Sequence, residues 1–335
     1  MAVYSLDTPL VLPVPDLAVV AVRRTELKRH ATTLNNIYLP IFQDVLGDLI
    51  KELNQVDYEA LRTLNGVPSL LDAGGLVHLM KGLEHIRQNA DDPQSEAITQ
   101  VLTEIDLQLN KVSTNLQTHA QDLDNALVNF TTVSFGDVEG LIAPINVEIV
   151  RIDAEIALIE TSQATGRAEE AEVNKLIAAL ESVSALDKLK PLVENLNKLA
   201  DIDPKNPLVG SIKAGIFAVS NILDLTSDAL KYEHLVKFRS RMQLELDDIR
   251  NRTRAAHTHR DKETAKLEQL KLLQEMNVLK KDYAQELGKL HEALYRFMNY
   301  SLQAEDPEQR AAGLIKHAGI LTNYIEALRR DWQRN

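Results

Sequence analysis

Residues 98–130 read ITQVLTEIDLQLNKVSTNLQTHAQDLDNALVNF, and the spacing of their apolar side chains decides the fold class. The seam advances in alternating steps of four and three through Ile98, Leu102, Ile105, Leu109, Val112, Leu116, His119, Leu123, Ala126 and Phe130. This heptad pattern is typical of a coiled-coil helix. At about 1.5 Å per residue, a helix of about 40 residues is about 60 Å long, which is more than a compact domain needs. A rod-like helical bundle is predicted, with His119 as a core histidine that has a partner.

A second long helix is predicted from about Thr226 to Tyr300, because this stretch has no proline and keeps an apolar stripe. The stripe comprises Leu272, Met276, Leu279, Tyr283, Leu287, Leu290, Leu294 and Phe297. Asp306 and Gln309 form a capping-box pattern that opens a last helix to about Trp332. Strand patterns are almost absent. The predicted fold is all-α, an elongated helical bundle with long antiparallel coiled-coil helices and a central apolar head region.

Shorter helices are predicted before the first long one. An amphipathic helix is expected from Asp16 to about Ile37 and another from Pro40 to Leu53. A stretch punctuated by Gly66, Pro68, Gly74 and Gly75 is expected to interrupt the helices before one resumes. The boundaries of these N-terminal helices are thus placed by glycine and proline.

Composition excludes several classes of function. Acidic residues outnumber basic ones by 49 to 37, a formal charge of −12, so the electrostatic footprint of a nucleic-acid-binding protein is missing. The chain has no cysteine and only 4% aromatic residues, which argues against thiolate chemistry, cysteine–zinc sites and drug-sized pockets. No P-loop, dinucleotide-binding glycine turn, His-Glu-x-x-His or Gly-x-Ser-x-Gly motif occurs. We therefore expect no enzyme, cofactor or metal.

Two charged groups are interpreted as surface. The carboxylate pair Glu169-Glu170 lies in a charged run and is expected to be solvated. A basic cluster contains His257 and His259 among arginines and Lys262. Histidines two residues apart point to different helix faces, so this cluster is interpreted as a solvated face or a subunit contact rather than a metal site.

The most apolar stretch of the chain is residues 208–225, LVGSIKAGIFAVSNILDL, in which only Lys213 and Asp224 are charged. Its membrane-insertion candidates are Leu208, Val209, Ile212, Ile216, Phe217, Val219, Ile222, Leu223 and Leu225. It is either a buried bundle helix or a segment that enters a membrane in a ring of copies. In the second case Lys213 and Asp224 are the candidate lumen-facing or switch residues, because a charge at the centre of a lone span costs about 2.5–3.5 kcal/mol.

The N-terminal residues Met1–Pro15 have no basic region before their apolar stretch, and prolines break that stretch. They do not match a classical signal peptide. No unbroken apolar run of about 18 residues occurs, which argues against a constitutive membrane span. We expect the chain to be made as a soluble protein.

The layout of a seam at 98–130, an apolar segment at 208–225 and a long helix to Tyr300, without cysteine, resembles a known family. It is similar over essentially the whole chain to the B component of the binary α-xenorhabdolysin-type cytotoxins, which are bacterial α-helical pore-forming toxins. The resemblance implies a partner A subunit and a hetero-oligomeric ring on host cell membrane lipid. It also implies secretion without a classical signal peptide, no enzymatic activity and no nucleic-acid partner.

On this resemblance, residues 1–135 form tail helices and the first long neck helix, 136–239 the head with its inserting hairpin, and 240–335 the second neck helix and C-terminal tail helix. A non-enzymatic coiled-coil scaffold or tethering protein remains the alternative. A scaffold would keep 208–225 buried under all conditions, whereas a toxin must release it.

Overall fold

The computed structural model describes residues 9–34, 39–89, 96–181, 221–222 and 228–334, and almost all of them are helical. The described part of the chain contains no β-strand, in agreement with the all-α prediction. The helices are α1 (Leu17–Thr33), α2 (Ile41–Leu70), α3 (Gly74–Asn89), α4 (Glu96–Thr132), α5 (Val138–Glu181), α6 (Asp228–Ser301) and α7 (Pro307–Arg334).

The chain divides into two compact units. The first unit consists of Met1–Val138 and Gln269–Asn335, and the second of Glu139–Glu268. Helix α6 therefore contributes its N-terminal part to the second unit and its C-terminal part to the first.

The first unit is a helical bundle in which α2 packs against α4 and α7, and α3 packs against α4. The predicted α4 seam faces this core, because Ile105, Leu109, Leu116, Leu123 and Phe130 are all fully buried. The stripe of α6 is buried as well, including Tyr283, Leu287, Leu294 and Phe297. The heptad interpretation of both long helices is confirmed.

Helix α2 is longer than the sequence patterns suggested. The predicted end at Leu53 is wrong, since α2 continues through Gly66 and Pro68 to Leu70. Buried side chains at Leu64 and Val67 keep this stretch against the core, and that packing outweighs the helix-breaking preference of glycine. Pro68 lacks the N–H that would bond the carbonyl of Leu64, and α2 ends two residues after it.

At Gly66 a side chain of α4 lies close to the backbone of α2. A Cβ added at Gly66 would lie 2.9 Å from Cε1 and Nε2 of His119. The imidazole thus occupies the space that a side chain at position 66 would fill. His119 is half-buried between α2 and α4, and among the described residues its buried Nδ1 lacks the hydrogen-bond partner that was predicted.

The last helix begins as its capping pattern predicts. Oδ2 of Asp306 accepts a 3.3 Å hydrogen bond from the backbone N–H of Gln309, so Asp306 is the N-cap of α7. The predicted limits of α6 and α7 also agree with the structure within a few residues.

The second unit is built on an antiparallel pair of helices. As residue numbers rise along α5 they fall along α6, as the contacts of Asp153 with Arg260, Glu170 with Gln243, and Glu181 with Tyr232 demonstrate. These polar contacts flank an apolar seam that is described below.

Candidate membrane-insertion region

Of the residues in the candidate segment 208–225, the structure describes Asn221 and Ile222. All the other predicted insertion residues, together with Lys213 and Asp224, lie outside the described residues. Their membrane roles remain predictions.

Ile222 packs on an apolar cluster at one end of the α5–α6 pair. We call it the Leu176 cluster, and its buried members are Val173, Leu176, Ile177, Leu235 and Met242. Leu180, Val236 and Phe238 also pack against it. The described end of the candidate segment is therefore covered by side chains of both helices.

The ends of the two helices meet at the same place. The hydroxyl of Tyr232 donates a 3.0 Å hydrogen bond to Oε1 of Glu181, the last residue of α5. Ionisation of this tyrosine beside the carboxylate is unfavourable, which raises the pKa of Tyr232. Glu181 and Tyr232 are therefore neighbours in space although they lie 51 positions apart in sequence, with 208–225 between them in the chain.

A second apolar cluster lies further along the pair. We call it the Ile156 cluster, and it consists of Ile152, Ile156, Ile159 and Ala256, with Ile249 packed against it. The isoleucines follow one another at heptad spacing, in steps of four and three residues, and this register forms part of the seam with α6.

Between the two clusters the seam contains polar side chains, and the two helices lie close together. Its α5 side is formed by Ser162, Gly166 and Glu169, all buried. Oγ of Ser162 donates to the carbonyl oxygen of Leu158 at 2.9 Å. A Cβ at Gly166 would lie 2.9 Å from Cδ2 of Leu246, so α5 and α6 approach closely here.

Glu169 corrects the surface interpretation of the Glu169-Glu170 pair. Its side chain is in the seam and only 4% exposed, whereas Oε1 of Glu170 accepts a 2.9 Å hydrogen bond from Nε2 of Gln243 on α6. Burial, and secondly the negative charge of Glu245, raise the pKa of Glu169 to about 8. From Ile159, further steps of three and four residues lead through Gly166 and Glu169 to Val173. This continuation of the heptad register is the sequence signal that predicts the burial of Glu169.

The basic cluster on α6 faces solvent and is partly neutralised by acidic residues. Nε of Arg260 lies 2.5 Å from Oδ1 of Asp153, and His257 lies 3.6 Å from Glu160. The solvated-face interpretation thus holds for these side chains. Among the described residues no group of three or more His, Asp or Glu side chains is arranged to hold a metal ion.

None of the helices in the described ranges has a window apolar enough to cross a membrane. The residues of segment 208–225 that lie outside these ranges are not covered by this finding.

No protein-family model and no curated protein sequence matches the chain. Solved structures with a similar fold include PaxB from Photorhabdus luminescens, with a TM-score of 0.72, 14% identity and coverage of 96% of this chain and 98% of that one. They also include XaxB from Xenorhabdus nematophila, with a TM-score of 0.72, 12% identity and coverage of 96% and 99%. A YaxAB pore complex matches with a TM-score of 0.64, 15% identity and coverage of 96% and 100%.

Because the sequence identities are only 12% to 15%, the comparison establishes the fold alone. PaxB, XaxB and YaxB, the B components of XaxAB- and YaxAB-type binary toxins, are structural neighbours of this chain over 96% of its length or more. The resemblance noted in the sequence is confirmed at this level.

Proposed function

We propose that this chain is the B subunit of a binary α-pore-forming cytotoxin, which assembles with a partner A subunit into an oligomeric transmembrane pore on host cell membranes. The observation that carries this proposal is the whole-chain fold similarity to PaxB and XaxB and to a B chain of a YaxAB pore complex. A match that covers both units is more specific than a match to a common helical bundle.

The second unit supports the same proposal. Glu181 and Tyr232 join the ends of α5 and α6, and these two residues flank the stretch of sequence that carries 208–225. Ile222 packs on the Leu176 cluster, which consists of apolar side chains from both helices. A contact of this kind is released when its apolar partners separate.

The remaining expectations follow from this function. The chain acts without catalysis and without a nucleic-acid partner, reaches the medium without a classical signal peptide, and inserts residues of 208–225 into host lipid. Lys213 and Asp224 line the lumen or control insertion. In this proposal residues 1–135 and 240–335 form the tail and neck and stay outside the bilayer. Residues 136–239 form the head, which carries the inserting segment.

Leakage of dye from liposomes tests the proposal. Purified chain is added to phosphatidylcholine–cholesterol vesicles alone and together with an A-type subunit from the same source organism. We expect leakage and large oligomers only when both subunits are present. An absence of leakage and of oligomers in every mixture would favour the scaffold function instead.

A charge substitution links the leakage to the candidate segment. Ile216→Asp with Phe217→Asp places two carboxylates in its centre, and each costs about 2.5–3.5 kcal/mol at the middle of a bilayer. The control pair is Leu107→Asp with Val278→Asp, at positions that are 62% and 59% exposed. The first pair should abolish leakage while the control pair retains it, with thermal unfolding of both measured in parallel.

A further inference from the structure

The α5–α6 seam of the second unit has a polar interruption at Glu169 that pore formation does not account for. On one side lies the Ile156 cluster and on the other the Leu176 cluster. The two helices are close together at Gly166, because a Cβ added there would lie 2.9 Å from Cδ2 of Leu246. Glu169 and Leu246 are both buried in the gap between the two clusters, and Glu169 is the ionisable one of the two.

One oxygen of the Glu169 carboxyl group, Oε1, is buried without a hydrogen-bond partner among the described residues. Burial removes part of the hydration that stabilises a carboxylate, and Oε1 has no hydrogen bond from the described residues to replace it, whereas a protonated carboxyl is neutral and tolerates burial better.

The charged groups around Glu169 do not favour its ionised form. Glu245 on α6 adds a negative charge that opposes ionisation. On α5, Glu170 bonds to Gln243 and Glu172 pairs with Lys175 at 2.6 Å. On α6, Lys237 pairs with Glu233 at 2.6 Å, and the positive charge of Arg239 opposes the rise in the pKa of Tyr232.

We propose that Glu169 is a proton-controlled latch of the second unit: its protonated carboxyl closes the α5–α6 seam, and its ionisation loosens the two helices beside the Leu176 cluster. Because Ile222 packs on that cluster, loosening the seam also loosens the described end of segment 208–225. This inference goes beyond the proposed function and holds whether or not the chain forms a pore.

The sign of the pH effect follows from linkage. The pKa of Glu169 in the closed unit is about 8, above the ordinary value of 4.5 that the exposed carboxyl has when the seam opens. Between these two values the closed form holds a proton that the open form lacks. Closure is therefore strongest at low pH and weakens as pH rises toward 8, by up to about tenfold in the opening equilibrium per pH unit.

Hydrogen exchange of the full chain, followed by mass spectrometry from pH 5 to 9 and corrected for intrinsic rates, measures this opening. We expect peptides within 160–181 and 235–249 to lose protection by up to about tenfold per pH unit, and the loss to level off above pH 8. Glu169→Gln should remove the slope, because its neutral amide resembles the protonated acid. Glu160→Gln, at an exposed position of the same helix, should retain it.

Two further measurements keep the test decisive. Glu245→Gln removes a negative charge that raises the pKa of Glu169, so the loss of protection should level off at a lower pH. If Glu169→Gln does not fold, Glu169→Met takes its place. Carbon-13 NMR of labelled glutamate should find one carboxyl that titrates near pH 8 and is missing in the Glu169 variant. A slope that persists in the Glu169 variant, or a Glu169 carboxyl that titrates near 4.5, would overturn the latch. Neither result depends on lipid or on a partner subunit, so failure of the latch is distinguishable from failure of the pore proposal.

Discussion

The Tyr283 hydroxyl donates a 2.7 Å hydrogen bond to Oδ1 of Asp57, which ties α6 to α2 inside the first unit. Asp57 also lies 3.5 Å from Arg24 and 3.5 Å from Lys28, both on α1. The ring of Tyr283 is fully buried and meets Phe130 of α4 edge to face, with centroids 5.4 Å apart. One carboxylate and one ring thus connect four helices.

Tyr283→Phe should lower the stability of the first unit by about 1 kcal/mol, because Asp57 loses a buried donor but keeps its two cations. Trp332 is the only tryptophan of the chain and stacks against Arg24, so its fluorescence during urea unfolding reports on this unit. The control is Tyr58→Phe at the neighbouring position, which is 60% exposed and should change the midpoint little. Equal effects of the two substitutions would contradict the assignment of the hydrogen bond.

Lys280→Met should destabilise the first unit by about 1–3 kcal/mol, because it removes a buried cap. Nζ of Lys280 donates to the carbonyl of Thr131 at 3.1 Å and also to that of Val133, at the C-terminal end of α4. Burial lowers the pKa of Lys280, since its ammonium group is poorly hydrated there. Lys281→Met at the adjacent exposed position should stay within about 0.5 kcal/mol of the wild type in the same urea titration.

Gly313→Ala and Gly319→Ala, both in α7, should act in opposite directions. A Cβ at Gly313 would lie 2.5 Å from the backbone oxygen of Ser301, so the two helices must separate, at a cost of about 1–3 kcal/mol. Gly319 has no atom within 4 Å of that position, and alanine there should add about 0.5–1 kcal/mol by its helix preference. Melting temperatures that shift in the same direction would show that the α6–α7 contact yields easily.

Acidification should weaken the first unit through His119. Burial, and secondly the charge of Arg62, lower the pKa of His119, so the folded unit favours the neutral ring. The unfolded chain binds this proton more readily, and stability that is complete above about pH 6.5 is lost as pH falls through the lower folded value. His119→Gln should reduce the decrease in the Trp332 unfolding midpoint between pH 7.5 and 5.5, although His317, whose pKa is also lowered, retains part of it.

The exposed His78 provides the control for this pH series. His78→Gln should leave the decrease unchanged. If both glutamine variants behave as the wild type does, His119 does not contribute to the acid sensitivity.

A disulfide from position 222 to the Leu176 cluster should block the release of the candidate segment. Ile222→Cys is combined in turn with a cysteine at Val173, Leu176 or Ile177, and the pair that oxidises is kept, since the native chain has no competing thiol. The oxidised protein should remain folded and cause leakage only after reduction. Single-cysteine variants under the same oxidising conditions are the controls, and full leakage by the oxidised pair would mean that Ile222 need not leave the cluster.

The long helices were predictable because their apolar periodicity is uninterrupted over many turns. Leu109, Leu116 and Leu123 point into the core as the heptad requires. The end of α2 was not predictable in the same way. Local propensity at Gly66 and Pro68 argued for a break, but buried Leu64 and Val67 supply tertiary packing that a single sequence does not reveal.

The candidate site was predictable only in part. Composition identified 208–225 as an apolar segment, and Ile222 does pack on apolar side chains. Glu169 was misread because a charged residue in a charged run is usually solvated, and its burial arises from packing against α6, a helix about 75 residues away in sequence.

The contact of Gly166 with Leu246 has a consequence for sequence divergence. The space between α5 and α6 at this point holds one branched side chain and no second one, so the combined volume of the two positions is restricted. A larger residue at 166 should therefore be favoured when position 246 carries a smaller one. In a deep-mutational scan of both sites, Gly166→Ala should be rescued by Leu246→Ala or Leu246→Val, and this pair should appear as correlated substitutions among homologous sequences.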